Sequence, residues 1–248
     1  MNITNPDYQL LCPDIQNLPA WFEQEGDIIY KGRNELRRFF FNNQDLVVKS
    51  FKIPHFINRI AYTFFRSSKA GRSYRNALKL QEKGIYTPSP IASIEEKEKG
   101  LLSRSFYVSS YVSYSGLLRE LHGCPLKEVK DLAEAFAHFT ADIHRQHVLH
   151  FDYSPGNILY EKNGEQYHFC LVDVNRMRID KKIDEKTAAF NLRKLWGKTE
   201  VILFIAGIYA RDRGFNEKKF KDLVLLYRHN FWKRFVKRYP DRKYLLEE

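Results

Sequence analysis

Three short runs rich in β-branched and aromatic residues lie between residues 28 and 51, at 28–30, 37–41 and 45–51, and Asn42-Asn43-Gln44 supplies a turn between the last two. That spacing predicts strands. Beyond Pro54 the period changes, with Ile57, Ile60, Ala61 and Phe64 at i, i+3, i+4 and i+7, the pattern of an amphipathic helix. A second helix is predicted from Ser67-Ser68-Lys69 to about Lys83, where Gly84, Pro88 and Pro90 stop it and lead into strands at 91–94 and 104–112. From about Ser113 the helical period dominates. Val129, Leu132, Ala133, Phe136, Ala137, Thr140 and Ile143 mark one strongly amphipathic helix, and further helices are expected over 185–196, 199–211 and 217–238. The pattern describes an α+β chain in two lobes of one domain over 1–248, a β-rich part over 1–112 and a mainly helical part over 113–248.

Between the helix ending near Ile143 and the next helices lies His150-Phe151-Asp152-Tyr153-Ser154-Pro155-Gly156-Asn157, and sixteen residues after the Asn comes Asp173. Residues 158–160 and 167–172 read as the two strands of a hairpin around the Asn163-Gly164 turn signal, which brings Asn157 and Asp173 together. One carboxylate can then accept a proton from an attacking hydroxyl, while the Asn and the second carboxylate offer the oxygen ligands that Mg²⁺ prefers. Taken singly, Asp152 is a turn residue and Asn157 a strand cap. As an ordered set they read as a phosphoryl-transfer site.

Charge and composition narrow the picture. The 41 Lys and Arg against 30 Asp and Glu give a net charge of +11, and 44% hydrophobic content suffices for a large core. Nine of the basic residues fall between Lys49 and Lys83 against one acid, Glu82, and a second basic stretch runs from Arg211 to Lys243. Such fields attract nucleotide phosphates, phosphorylated glycans or anionic headgroups, although for any single run a solvated helix face is the commoner explanation. Neither stretch carries a nucleic-acid-binding signature, so no nucleic acid is expected as a partner. Three scattered cysteines fit a reducing compartment. The first residues have neither a basic nor an apolar signal region, and the longest apolar run, 201–210, is half of what a bilayer needs. A cytoplasmic protein is expected.

The HxDxxxxN pattern resembles the catalytic loop of the protein-kinase-like superfamily. More closely, Val47-Val48-Lys49-Ser50-Phe51-Lys52, Asn58-Arg59-Ile60-Ala61-Tyr62, Ser68-Lys69-Ala70, the run from Gly84 to Pro90 and the His150–Asn157 motif follow one another in the order seen in the lipopolysaccharide kinase (Kdo/heptose, InaA-like) family, over roughly residues 25–215. The resemblance implies a two-lobed kinase-like fold. It also implies transfer of the ATP γ-phosphate to a sugar hydroxyl of the lipid A and inner-core region, at the inner face of the cytoplasmic membrane. By matching position, Lys49 holds ATP phosphates, Asp152 is the base with His150 bracing its loop, and Asn157 and Asp173 bind Mg²⁺. Arg59, Arg66 and Lys69 are expected to meet an anionic membrane surface or an anionic glycolipid acceptor.

The chain departs from that pattern at three places. Asn76 stands where the family's helix offers the lysine a Glu; only Gly32 precedes Lys49 in place of a glycine-rich loop; and Val174-Asn175 follow Asp173 instead of Phe-Gly. The missing Glu and glycines leave a pseudokinase scaffold open, and kinases of the aminoglycoside or choline type share the same loop logic. A short interval between Asp173 and the next helix, with no Ala-Pro-Glu, favours a sugar or glycolipid acceptor over a protein.

Overall fold

Asn42 and Asn43 both adopt positive φ, at 46° and 58°, in the two-residue turn between strands that end at Phe41 and begin at Gln44. Asn tolerates that left-handed backbone, and the turn's twist matches the strands it joins. The structure, a computed structural model, describes residues 2–241. Lys243, at the end of the second basic stretch, and the last part of the expected helical lobe lie outside them. The chain divides after Ser113 into two compact units.

In the first unit, β1 (Ile3–Thr4), β2 (Asp27–Lys31), β3 (Glu35–Phe41), β4 (Gln44–Phe51), β5 (Pro90–Glu98) and β6 (Leu101–Ser110) form one sheet in the order β1-β5-β6-β4-β3-β2. Each neighbouring pair is antiparallel. Three helices accompany it, α1 (Cys12–Trp21), α2 (Phe56–Phe64) and α3 (Lys69–Glu82). Ser68 caps α3 by accepting a hydrogen bond from the Gly71 N–H at 2.9 Å.

Helix α1 has no counterpart among the elements read from sequence. Pro13 and Pro19 interrupt its pattern, yet Leu11, Ile15, Leu18 and Phe22 recur at helical spacing and are buried with Phe39, Leu46, Val48, Phe106 and Val108. Burying a side chain of that size is worth about 1.5–3 kcal/mol, so those four contacts suffice to fix a helix that propensity disfavours.

In the second unit, the strands are β7 (Gly116–Leu117), β8 (Val148–His150), β9 (Ile158–Asn163), β10 (Gln166–Leu171) and β11 (Met177–Ile179), and the helices are α4 (Leu126–Arg145), α5 (Glu185–Leu192), α6 (Thr199–Arg213) and α7 (Glu217–Arg238). Gly164, at φ 63°, opens the two-residue loop of the β9–β10 hairpin, with Asn163 opposite Gln166. Strand β8 pairs with β11. The apolar run 201–210 belongs to α6, where Val201, Ile202, Ile205, Ala206, Ile208 and Tyr209 are all buried against neighbouring helices. A helix apolar on every side is a core helix. Among the described residues no helix is long and apolar enough to cross a membrane.

Candidate active site

The second unit gathers Asp152, Asn157, Asp173 and His150 through a short chain of backbone turns. His147, at φ 63°, turns the chain out of α4 and into β8. Asp152 follows that strand directly, in a loop pinned by Tyr153. The Tyr153 ring is fully buried, stacks on Phe136 of α4, and its hydroxyl lies 2.9 Å from Thr140 Oγ1. Thr140 already donates to the Phe136 carbonyl, so Tyr153 is the donor between them. Burial pushes the Tyr153 phenol well above its usual range.

At the far end of the loop, the Asn157 carbonyl accepts from the Val172 N–H at 3.0 Å, extending the β9–β10 ladder to the residue before Asp173. Asn157 Nδ2 donates to the Asp152 carbonyl at 2.9 Å, so the amide's other end, Oδ1, is the atom it can offer a cation. Asp173 sits at φ 55°, a left-handed backbone that costs a non-glycine residue of order 1–3 kcal/mol and clusters at functional sites. Its Oδ1 accepts from Asn175 Nδ2 at 2.5 Å.

His150 joins the two halves. Its ring is fully buried, its Nδ1 accepts from the Asp152 N–H at 3.0 Å, and its Nε2 donates to the Val172 carbonyl at 3.0 Å. Both nitrogens are thus used by backbone, and the neutral ring ties the Asp152 loop to the segment carrying Asp173. Behind it, Asn191 Nδ2 donates to the His150 carbonyl and Asn191 Oδ1 pairs with His144 Nε2; His144 Nδ1 in turn meets the Tyr209 hydroxyl, which Arg213 also contacts. Burial lowers the His144 pKa to about 3 and lowers that of His150 as well.

Those shifts fix a pH dependence. Both histidines have folded pKa values below the unfolded value of about 6.5, so their contribution is complete above that pH and is lost as pH falls towards the folded values. Unfolding in urea at pH 7 and at pH 5 should show a loss of about 2 kcal/mol from His144, with His150 adding to it. Equal stability at the two pH values would mean that neither imidazole is held neutral.

One residue of the site escaped the sequence reading. Lys194, just beyond α5, donates from Nζ to Asp152 Oδ1 at 2.5 Å, with the lysine side chain 19% and the carboxylate 39% exposed. The loop 151–157 contains no cation, and the one it uses stands 42 residues downstream. No local pattern reports such a pairing; only the fold does.

In the first unit, Lys49 lies on β4 opposite Leu36 and Tyr107, with Nζ 5.4 Å from the centre of the Phe51 ring. Lys69 Nζ lies 5.9 Å from the centre of the same ring, so one aromatic side chain is within cation–π reach of two of the expected cations. Strand β4 ends at Phe51, and Lys52 is exposed just beyond it. Arg66 is exposed. Arg59 differs from the expectation of a surface cation: Nε donates to the Leu102 carbonyl at 2.8 Å and Nη2 reaches Glu98, fastening α2 to β6. Gly32 stands in the β2–β3 turn, its N–H bonded to the Asn34 carbonyl.

The donor set fits a hard, incompletely caged cation. Among the described residues no group of three or more His, Cys, Asp and Glu is placed to hold a metal. One carboxylate and one amide oxygen suit Mg²⁺, which keeps waters and takes further oxygens from phosphates, better than Zn²⁺ or Ca²⁺.

The profile of the Lipopolysaccharide kinase (Kdo/WaaP) family matches residues 52–227. The chain belongs to that family. It is accordingly a phosphotransferase with an alcohol group as acceptor. Among solved structures it is similar to one described as WaaP in complex with acyl carrier protein, at 14% identity and a TM-score of 0.65, over 94% of this chain and 98% of that one. That likeness establishes the protein-kinase-like fold. No curated protein matches the sequence.

Proposed function

We propose that this lipopolysaccharide-kinase family member transfers the γ-phosphate of ATP to a sugar hydroxyl of the inner core, on Kdo, heptose or a related glycolipid. The observation that carries the reading is the Asp152 carboxylate, held by Lys194 in a loop that His150 and Asn157 stitch to the segment bearing Asp173. In this reading Asp152 orients the acceptor hydroxyl and takes its proton. Lys194 keeps the carboxylate aimed, His150 positions the loop, and Lys49 draws charge from the nucleotide phosphates. Asn157 and Asp173 would hold Mg²⁺, which when bound neutralises phosphate charge. Purified protein given Mg-ATP and a panel of Kdo-lipid A, heptosylated core, free sugars and a generic protein tests the assignment, with turnover expected on the glycolipids. Asn76 and the single Gly32 favour one rival, a pseudokinase scaffold, which the same assay separates by the absence of transfer to any acceptor.

The proposed location is peripheral, at the inner face of the cytoplasmic membrane. Helix α2 buries none of its residues fully, and Ile57, Phe64 and Phe65 are 80%, 67% and 81% exposed beside Arg66. Aromatic and basic residues together suit an interfacial helix, with each cation near an anionic leaflet contributing about 1 kcal/mol. Because Arg59 is spent inside the fold, the apolar tip carries most of this. Phe64→Ser with Phe65→Ser should release the protein from anionic vesicles in flotation. Retention equal to the unaltered protein would remove the membrane from the account.

A further inference from the structure

Helices α5 and α7 leave an open groove of about 490 Å³ in the second unit, whose lining includes Phe190, Arg193, Tyr227, Phe231, Arg234 and Arg238. Among the described residues its lining carries three guanidinium groups and no carboxylate. Tyr227, Phe231, Arg234 and Arg238 recur at three- and four-residue spacing, so one face of α7 presents aromatic rings and cations together. The Arg193 guanidinium lies 3.6 Å from the centre of the Phe190 ring and 5.6 Å from that of Phe231. Phe190, 48% exposed, meets Tyr227 edge-on at 5.5 Å. A core explanation fails here, because Phe190, Arg234 and Arg238 are all exposed.

Position links this groove to the chemistry. Arg193 directly precedes Lys194, whose ammonium holds Asp152. We propose that the groove binds a phosphorylated sugar of the acceptor glycan, its phosphate on the arginines and its ring on the aromatic faces, while another sugar hydroxyl of the same glycan meets Asp152. The inference rests on the kinase reading above and extends it to the part of the acceptor that does not react. Guanidinium forks match phosphate oxygens two at a time. The C–H-rich face of a sugar ring suits the electron-rich face of an aromatic side chain. A concave volume of this size is in the range of small-ligand sites, and a flat bilayer does not enter it.

The test is binding of deacylated inner-core oligosaccharide to the full chain, without nucleotide, by calorimetry. The probe is used with its phosphates and after phosphatase treatment. The intact oligosaccharide should bind about tenfold more tightly than the stripped one. Arg234→Glu with Arg238→Glu should abolish that difference. Lys233→Glu with Lys237→Glu makes the same charge change on α7 at exposed positions outside the groove, and should preserve it. Equal weakening by both double variants would reduce the effect to bulk charge and overturn the proposal, as would equal binding of the two oligosaccharides. So would a dependence on Arg234 and Arg238 seen only with phosphatidylglycerol vesicles. Groove-dependent binding without any phosphoryl transfer would bring down the kinase reading and leave the groove standing. Transfer with unchanged acceptor KM in Arg234→Glu/Arg238→Glu would do the reverse.

Discussion

Asp152→Asn should lower the rate of phosphoryl transfer by about 10²–10⁴ while nucleotide affinity stays close to that of the unaltered protein. The substitution preserves shape and removes the proton acceptor. The backbone contacts that fix the loop, Asp152 N–H to His150 and Asp152 carbonyl from Asn157, do not involve the exchanged atoms. Loop geometry should therefore survive, and the loss should fall on the chemical step. Single-turnover kinetics with saturating Mg-ATP, beside equilibrium nucleotide binding, checks both halves. Near-normal turnover would show that another group takes the proton.

Lys194→Met should cost about 10–10² in kcat with little change in KM for ATP, because it removes the cation that aims the base and leaves a carboxylate facing the site without its partner. Methionine keeps much of the lysine's stem volume, so packing around the half-buried chain is preserved. Lys194→Arg, which restores a charge with different reach, should recover part of the rate. A merely structural role predicts another pattern: lowered thermal stability, unchanged kcat in the folded fraction and no benefit from arginine. Measuring kcat, KM and the melting temperature on the three proteins separates the two.

The difference between what was legible in the sequence and what was not follows the range of the interactions. Asn42-Asn43 and Gly164 announced their turns because left-handed backbone selects those residue types locally, and the 3.6-residue period of α4 carried through Val129, Phe136 and Ile143. The grouping of His150, Asp152, Asn157 and Asp173 was readable for the same reason, since the first three lie within eight residues and one hairpin returns the chain from Asn157 to Asp173. Lys194 was not, because its partner lies across α5 in the chain and meets it only after folding. Nor was the chain from Arg213 through Tyr209, His144 and Asn191 to the His150 carbonyl, which draws on α6, α4, α5 and β8. Charge counting did not reveal the bond from Arg59 to the Leu102 carbonyl, because composition does not distinguish a guanidinium in water from one engaged by backbone. Helix α1 was hidden by its two prolines; Pro13 sits in the first turn, where proline is tolerated, and the penalty of Pro19 is outweighed by the core contacts of Leu11, Ile15, Leu18 and Phe22.

The most direct test of the central claim follows radiolabelled γ-phosphate from ATP into purified inner-core lipopolysaccharide, with unaltered protein and Asp152→Asn side by side. The account predicts label on a sugar hydroxyl of the glycolipid with the first protein and almost none with the second. Nucleotide bound by both but label reaching no glycolipid acceptor, or equal labelling by the two proteins, would contradict it.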